Sequence, residues 1–217
     1  MIVPTEPLLL LTPGKALEGD IFPGSIPENI VVGENTRIDS GACFRKFRAK
    51  GPVGLRTGVN VTLWRTSLAA EENAVIEIGD DSWIANAILA CSVRITIRKR
   101  VFVAGGVTIT DSDFHPLTPG ARLLDTVAVS PVGDRSRRPP IEARPVEIED
   151  DVWIGYNATI PKGVRVSVGA VIAPGAVVTA NVPAGCTVAG NPARMVDEKR
   201  TGASPLCTQT EAHEVAK

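Results

Sequence analysis

The stretch from residue 148 to residue 182, IEDDVWIGYNATIPKGVRVSVGAVIAPGAVVTANV, repeats itself every six residues. A strand repeats every two residues and a helix every 3.6, so a steady period of six indicates neither element alone. It indicates a short strand and a turn, with three such hexads closing one triangular coil. The aliphatic positions that open the hexads are Ile148, Ile154, Ile160, Val166, Ile172 and Val178, and a small or aliphatic residue follows each by four positions.

The hexad pattern predicts a stack of coils, because no single coil can bury its own inner face. One aliphatic residue per hexad points inward, and Gly, Asn and polar residues occupy the corners, where a positive φ is often required. The pattern is present, less regularly, over residues 32–44 and 78–90, and after a one-residue slip over 97–109. Between residues 46 and 73 the register is hard to follow, which predicts irregular coils there.

Bulk composition agrees with an all-β chain that has an aliphatic core. Hydrophobic residues make up 44% of the sequence, Gly (20) and Pro (17) are frequent, and helix signals are sparse. A net charge of −1 argues against a nucleic-acid partner, which usually needs a basic face. Four widely spaced cysteines without CxxC motifs predict neither a disulfide framework nor a zinc site, but free thiols in a reducing cytoplasm.

The apolar run at residues 8–11, LLLL, is too short to span a bilayer, and no basic region precedes it. We therefore expect it to be a strand or a docking segment rather than a signal peptide or a membrane span.

The repeat breaks after Ile109 and returns near Val146. The Pro- and Arg-rich residues between them, 110–145, predict a long inserted loop, which at this length is functional or disordered. The loop begins with DSDFHP, and His115 is one of only two histidines in the chain. His115 could be a plain surface histidine. Alternatively, a nearby carboxylate or carbonyl could hold a proton on one ring nitrogen and leave the other as a general base.

The elements DSDFHP, VWIG, AVI-x-x-G-x-VVT and AGNPA occur in that order between residues 111 and 193, within a matching region of about residues 78–196. In this the chain resembles the hexapeptide-repeat acyltransferases, in the branch of maltose, galactoside, xenobiotic and polysaccharide O-acetyltransferases. The resemblance implies an all-β fold, a left-handed parallel β-helix, although generic crossover rules favour the right hand. It also implies one domain over residues 1–196 with a loop insertion at 110–145, followed by a polar C-terminal tail at 197–217.

The resemblance also implies a reaction and a set of site residues. Members of this branch transfer an acetyl group from acetyl-CoA to a hydroxyl or amine of an acceptor, without a metal. His115 then corresponds to the general base, and a peptide N–H at Gly155 or Tyr156 to the oxyanion donor. The catalytic candidates are His115 and Asn86, the acceptor-site candidates Asp113 and Trp153, and the candidates for binding CoA Gly155, Tyr156, Lys162, Ala173, Thr179 and Arg194.

Two departures from the family pattern affect CoA binding. Ala180 stands where many relatives have a basic residue, and Pro174 has no N–H where some relatives donate one. Arg135, Arg137 and Arg138 of the inserted loop could supply other contacts, or the loop could be solvated. The basic cluster at residues 98–100, RKR, could likewise face an anionic acceptor or form a charged turn.

The residues bear on three possible functions. The family implies a cytoplasmic homotrimer whose active sites lie between subunits and take a saccharide or small-molecule acceptor. A non-catalytic β-helix that serves as an interaction scaffold is the alternative. A γ-type carbonic anhydrase is excluded, because three-histidine zinc ligation is impossible with His115 and His213 alone. The acceptor itself cannot be read from the sequence.

Overall fold

Short strands make up most of the described chain, which in this computed structural model comprises residues 8–22 and 24–196. The strands of this part are β1 (Leu9–Leu10), β2 (Ile30–Val31), β3 (Arg37–Ile38), β4 (Leu55–Thr57), β5 (Thr62–Trp64), β6 (Ser67–Ala70), β7 (Val75–Ile78), β8 (Trp83–Ala85), β9 (Ile88–Cys91), β10 (Arg94–Ile97), β11 (Phe102–Val103), β12 (Thr108–Thr110), β13 (Val146–Ile148), β14 (Trp153–Ile154), β15 (Thr159–Ile160), β16 (Arg165–Val166), β17 (Val171–Ile172), β18 (Thr187–Ala189) and β19 (Arg194–Met195). One α-helix, α1 (Pro119–Val129), and two 3-10 turns, Gly41–Phe44 and Arg135–Arg137, accompany them.

The strands form three sheets that the chain visits in rotation. Sheet A contains β1, β3, β5, β8, β11, β14, β17, β18 and β19; sheet B contains β2, β4, β7, β10, β13 and β16; sheet C contains β6, β9, β12 and β15. Strand pairing is parallel except at the two ends of sheet A, where β1 pairs with β3 and β18 with β19 in antiparallel fashion. Going from B to A to C and back to B gives the three-sided coil that a period of six predicts. The prediction of a mostly β, parallel fold is therefore confirmed.

The core consists of the inward-facing aliphatic side chains, which stack from coil to coil along each sheet. In sheet A, Val103 pairs with Ile154, and Ile154 pairs with Ile172; all three side chains are fully buried. Each such aliphatic side chain contributes roughly 1.5–3 kcal/mol relative to an exposed one. Because a coil supplies only one inner residue per side, these contributions exist only when neighbouring coils stack.

Two sequence predictions need correction here. Residues 55–70 form the regular strands β4, β5 and β6, so the prediction of irregular coils between residues 46 and 73 is wrong for most of that stretch. The irregularity falls one coil earlier, where a 3-10 turn at Gly41–Phe44 takes the place of a sheet C strand. Cys43 and Cys91 are free, as predicted, and both are buried. Cys186 is disulfide-bonded, so the prediction of four free thiols is wrong.

The predictions for the two ends of the chain have different outcomes. Leu9–Leu10 forms β1, so the strand reading of the apolar run is confirmed. The predicted tail, 197–217, lies outside the described residues.

The segment between β12 and β13 leaves the coil and contains α1, which the sequence analysis did not predict. Pro119 begins this helix, where its missing N–H costs nothing and its fixed φ suits the first turn. The helix has 11 residues. No helix within residues 8–22 and 24–196 has both the length and the apolar character that a bilayer crossing requires.

We predict that Gly79→Ala destabilises the coil. A Cβ at Gly79 would lie 2.6 Å from the carbonyl carbon of Arg98 and 2.8 Å from the peptide nitrogen of Lys99, both backbone atoms of the next coil. The coils would have to separate locally, at an expected cost of about 1–3 kcal/mol. Urea denaturation measures this cost, with Gly51→Ala as the matched control because a Cβ at Gly51 meets nothing within 4 Å. Equal midpoints for the two variants would contradict the prediction.

Candidate active site

The inserted segment is anchored at its first residue by a buried carboxylate. Asp111 is fully buried, and its two oxygens accept hydrogen bonds from the backbone N–H groups of Ser92, Val93 and Arg94, each at 2.7 Å. The thiol of Cys91 also donates to this carboxylate, at 3.4 Å. The turn between β9 and β10 is thereby tied to the end of β12, which fixes the point where the insertion leaves the coil.

The outgoing and returning arms of the insertion pair with each other. Ser112 forms an antiparallel bridge with Ala143, and the N–H of Asp113 donates to the carbonyl of Glu142 at 3.2 Å. His115 therefore stands two residues beyond a paired, double-stranded base. This placement suits a residue that has to be held accurately, because a rigid support limits the motion of the side chain.

His115 contacts a buried aspartate of α1. Its Nδ1 lies 2.5 Å from Oδ2 of Asp125, whose side chain is fully buried, whereas the His115 side chain is 55% exposed. Arg138 holds the other side of the carboxylate, with Nε donating to Oδ1 of Asp125 at 2.7 Å. No group of residues 8–22 and 24–196 forms a hydrogen bond with Nε2 of His115.

The surroundings of Asp125 keep its carboxylate ionised. The hydrogen bond from Arg138 lowers the pKa of Asp125, burial acts in the opposite direction, and the hydrogen bond with His115 lowers the pKa further. The net result is a pKa below the usual value of an aspartate. An ionised carboxylate only accepts hydrogen bonds, so the contact with Asp125 favours Nδ1 of His115 as the donor.

A cavity of about 230 Å³ opens beside His115, and a partly buried ion pair lies next to it. Lys162 is 12% exposed and forms ion pairs with Asp113 and, at 3.1 Å, with Glu142. The hydrogen bond to Asp113 raises the pKa of Lys162, so its charge is committed to these carboxylates. The lining residues include Asp113, His115, Pro116, Thr118, Pro140 and Glu142. Lys162 thus lies near His115 and is paired with carboxylates of this chain. It is not free to bind a CoA phosphate, the role predicted from the sequence.

A second group of predicted site residues lies at the edge between sheets A and C. Asn86 follows β8 and Tyr156 follows β14, and carbonyls of this corner accept hydrogen bonds from the next coil, such as Gly175 N–H to Tyr156 O at 2.7 Å. Asn86 has a φ of 47°, which asparagine tolerates better than most residues. The positive φ at this corner is therefore sufficient to explain an asparagine at position 86.

The backbone donors at this corner differ in availability. The N–H of Gly155 donates to the carbonyl of Ile172 at 2.8 Å, and the N–H of Ala173 donates to that of Val188 at 2.9 Å. Both belong to the coil and are not free for a ligand. The N–H of Tyr156 meets no acceptor among the residues that the structure describes. Of the two predicted oxyanion donors, Gly155 is thus already engaged and Tyr156 remains.

One chain does not bring the two groups of predicted residues together. Asp113, His115, Lys162 and Thr179 follow strands or bridges of sheet C, at its edge with sheet B. Asn86, Gly155, Tyr156 and Ala173 stand at the opposite edge of sheet C, Trp153 is in the adjoining β14, and Arg194 is in β19, the last strand of sheet A. A four-residue strand of sheet C spans about 13 Å, and this width separates the groups.

The basic side chains proposed as ligand contacts are mostly paired within the chain. Arg98 pairs with Glu147 at 2.9 Å, Lys99 with Asp80 at 2.8 Å and Arg100 with Asp151 at 2.6 Å. The cluster at 98–100 is therefore a charged turn, and the anionic-acceptor hypothesis for it loses its support. In the insertion, Arg135 pairs with Glu71 at 2.9 Å, and Arg138 with Asp125.

Sequence reasoning missed Asp125 and Glu71 as members of this site. Asp125 lies within ARLLDTVAV, where a carboxylate between apolar residues of a helix is a usable signal. Glu71 comes directly after β6, two coils before His115, and nothing in the hexad pattern distinguishes it. No group of three or more His, Cys, Asp or Glu within residues 8–22 and 24–196 is arranged to hold a metal ion.

Comparison with known proteins gives matches to parts of the chain. Residues 145–180 match the model of the hexapeptide repeat of succinyl-transferase. The 2,3,4,5-tetrahydropyridine-2,6-dicarboxylate N-acetyltransferase of Staphylococcus aureus is 58% identical over 59 residues, which are 27% of this chain and 25% of that protein. The chain thus matches only a quarter of the length of such curated relatives.

Two solved structures cover more of the chain. The hexapeptide-repeat acetyltransferase VCA0836 of Vibrio cholerae, complexed with acetyl-CoA, is 26% identical over 71% of this chain and 73% of its own, with a TM-score of 0.51. The polySia-specific acetyltransferase NeuO is 27% identical over 66% of this chain and 56% of its own, also with a TM-score of 0.51. Residues 145–180 therefore carry a hexapeptide repeat, and the resemblance of the chain to the hexapeptide-repeat acetyltransferases is confirmed.

Proposed function

We propose that this chain transfers an acetyl group from acetyl-CoA to a hydroxyl or amine of a sugar, polysaccharide or small-molecule acceptor. The observation that carries the proposal is the pairing of Nδ1 of His115 with the buried Asp125, beside a cavity. This arrangement leaves Nε2 as the basic nitrogen, which is what an acceptor hydroxyl or amine needs for proton removal.

In the proposed mechanism, Nε2 of His115 takes the proton of the acceptor while its oxygen or nitrogen attacks the thioester carbonyl. The carbonyl oxygen becomes an oxyanion, for which the N–H of Tyr156 is our candidate donor. The carbon–sulfur bond then breaks, the CoA thiolate leaves, and the imidazolium returns the proton to it. Holding donor and acceptor side by side supplies much of the acceleration, so no acyl-enzyme is required.

The relatives support acetyl-CoA as the donor and leave the acceptor open. VCA0836 is complexed with acetyl-CoA, and NeuO is a polySia-specific acetyltransferase. The Staphylococcus aureus relative is an N-acetyltransferase, so an amine acceptor is as well supported as a hydroxyl. In this chain, the exposed Arg194 and Thr179 are the remaining candidates for contacts with CoA.

We infer that the active unit is a homotrimer of left-handed β-helices. The support is the separation of His115 from Tyr156 by the width of sheet C, since a neighbouring copy can bring its own sheet A–C edge to the histidine. A cyclic arrangement repeats this contact and closes it. His115 of one subunit would then face the Trp153 and Tyr156 coil of the next.

We expect the purified protein to release CoA thiol from acetyl-CoA only when a suitable acceptor is present. The assay follows free thiol colorimetrically over a panel of monosaccharides, amino sugars and sialic-acid polymers, and mass spectrometry identifies the acetylated product. Light scattering on the same sample should give three times the mass of one chain. Thiol release at the same rate with and without acceptors, and no acetylated product, would leave the scaffold alternative as the better account.

A further inference from the structure

We infer that Asp125 is a positioning residue for His115, which holds the ring proton on Nδ1, and that Arg138 in turn fixes Asp125. The inference rests on the proposed function and deepens it. It assigns a task to the helical insertion, which is to carry the partner of the general base.

The side chains of His115 and Asp125 differ strongly in their exposure to solvent. The His115 side chain is 55% exposed, so packing restrains its rotamer only in part, and the 2.5 Å contact with Asp125 is the hydrogen bond that orients the ring. Asp125, with 0% of its side chain exposed, cannot swing out into water. A fixed acceptor therefore faces a ring that is otherwise only partly restrained.

Arg138 holds both ends of the contact between His115 and Asp125. Its Nε donates to Oδ1 of Asp125 at 2.7 Å, and its Nη2 donates to the carbonyl of Phe114 at 2.8 Å. Phe114 has a φ of 60°, an unfavourable value for an aromatic residue, and it directly precedes His115. One guanidinium thus fixes the carboxylate and the strained peptide that aims the imidazole.

Ion pairs connect Arg138 and Arg135 to the body of the coil. Glu71, at the end of β6, lies 3.5 Å from Arg138 and 2.9 Å from Arg135. The insertion is therefore held at both ends of its path, by Asp111 at its start and by Glu71 near its return. Arg138 by itself would compensate the burial of the Asp125 carboxylate. The contact with His115 is not needed for that purpose.

The experiment uses ¹⁵N NMR of the imidazole, because the chain has only two histidines and His213→Ala leaves one signal set. We expect neutral His115 to be protonated on Nδ1. Asp125→Asn offers an amide donor to Nδ1 and should shift the tautomer toward Nε2–H. In the thiol-release assay we expect kcat to fall about tenfold to a hundredfold, with KM within about twofold.

The matched control is Asp134→Asn, because Asp134 is an exposed carboxylate of the same insertion. It should change neither the tautomer nor kcat. A ring protonated mainly on Nε2 in the otherwise unaltered protein overturns the inference, and this result needs no folded Asp125 variant. Because the spectrum does not depend on turnover, a protein without acetyltransferase activity that still shows Nδ1–H would refute the proposed function alone.

Discussion

Replacing His115 by alanine is expected to lower the rate of acceptor-dependent CoA release by about 10²–10⁴-fold, the range that a positioned general base contributes. The reason lies in the geometry: Nε2 of His115 has no partner among residues 8–22 and 24–196, and Nδ1 is held by Asp125. The alanine variant keeps the other side chains that line the cavity, but it has no group to accept the acceptor's proton. Thiol release at saturating acetyl-CoA and acceptor measures the effect.

His213→Ala is the matched control for this prediction, because it removes the only other imidazole of the chain. Its rate should equal that of the unaltered protein. The side chain of His115 is largely exposed, so His115→Ala should also keep its thermal unfolding temperature. Equal turnover by both histidine variants would show that His115 is not the base.

The coil could be predicted from the sequence because its cause is local. A hexad with one inward aliphatic residue has a single way to bury that residue, and the period survives the turns between strands. Ile148, Ile154 and Ile160 occupy inner positions on three successive sides and are fully buried. The same local reasoning placed His115 correctly, at the start of the insertion.

The partner of His115 could not be predicted, because the contact depends on how the insertion folds back. Asp125 is ten residues further along the chain, and its burial depends on Arg138 and Glu71, which arrive from different segments. Neither period nor spacing encodes such a contact. A carboxylate at a buried helix position is the only local trace.

Some of the site residues that the resemblance implies are free to bind a ligand, and others are not. The resemblance gives the position of a residue in the family pattern, but not its hydrogen bonds in this protein. The N–H of Gly155 donates to the carbonyl of Ile172, and Lys162 forms ion pairs with Asp113 and Glu142. Both are competent ligands in isolation. Their competition with the protein's own acceptors and carboxylates can be judged only in three dimensions.

Asp111→Ala is expected to destabilise the protein by roughly 3–5 kcal/mol, the largest stability effect we predict for a single polar residue. The carboxylate of Asp111 is fully buried and accepts from three backbone N–H groups, at Ser92, Val93 and Arg94. Alanine would leave all three donors without this partner in the turn that connects β9 to β10. Each unsatisfied buried donor costs about 1–3 kcal/mol, and partial hydration of the turn reduces the sum.

The matched control is Asp134→Ala, because Asp134 also accepts a backbone N–H, from Ser136 at 2.9 Å, but is exposed. Water replaces the lost acceptor there, so its urea midpoint should not change measurably. The same turn supports the first residue of the insertion, so Asp111→Ala should also loosen the support of His115. Hydrogen exchange then has to show faster exchange at Val93 and Arg94 than in the control. Unchanged protection at these amides would mean that the carboxylate does not hold the turn, and that the position of His115 has another origin.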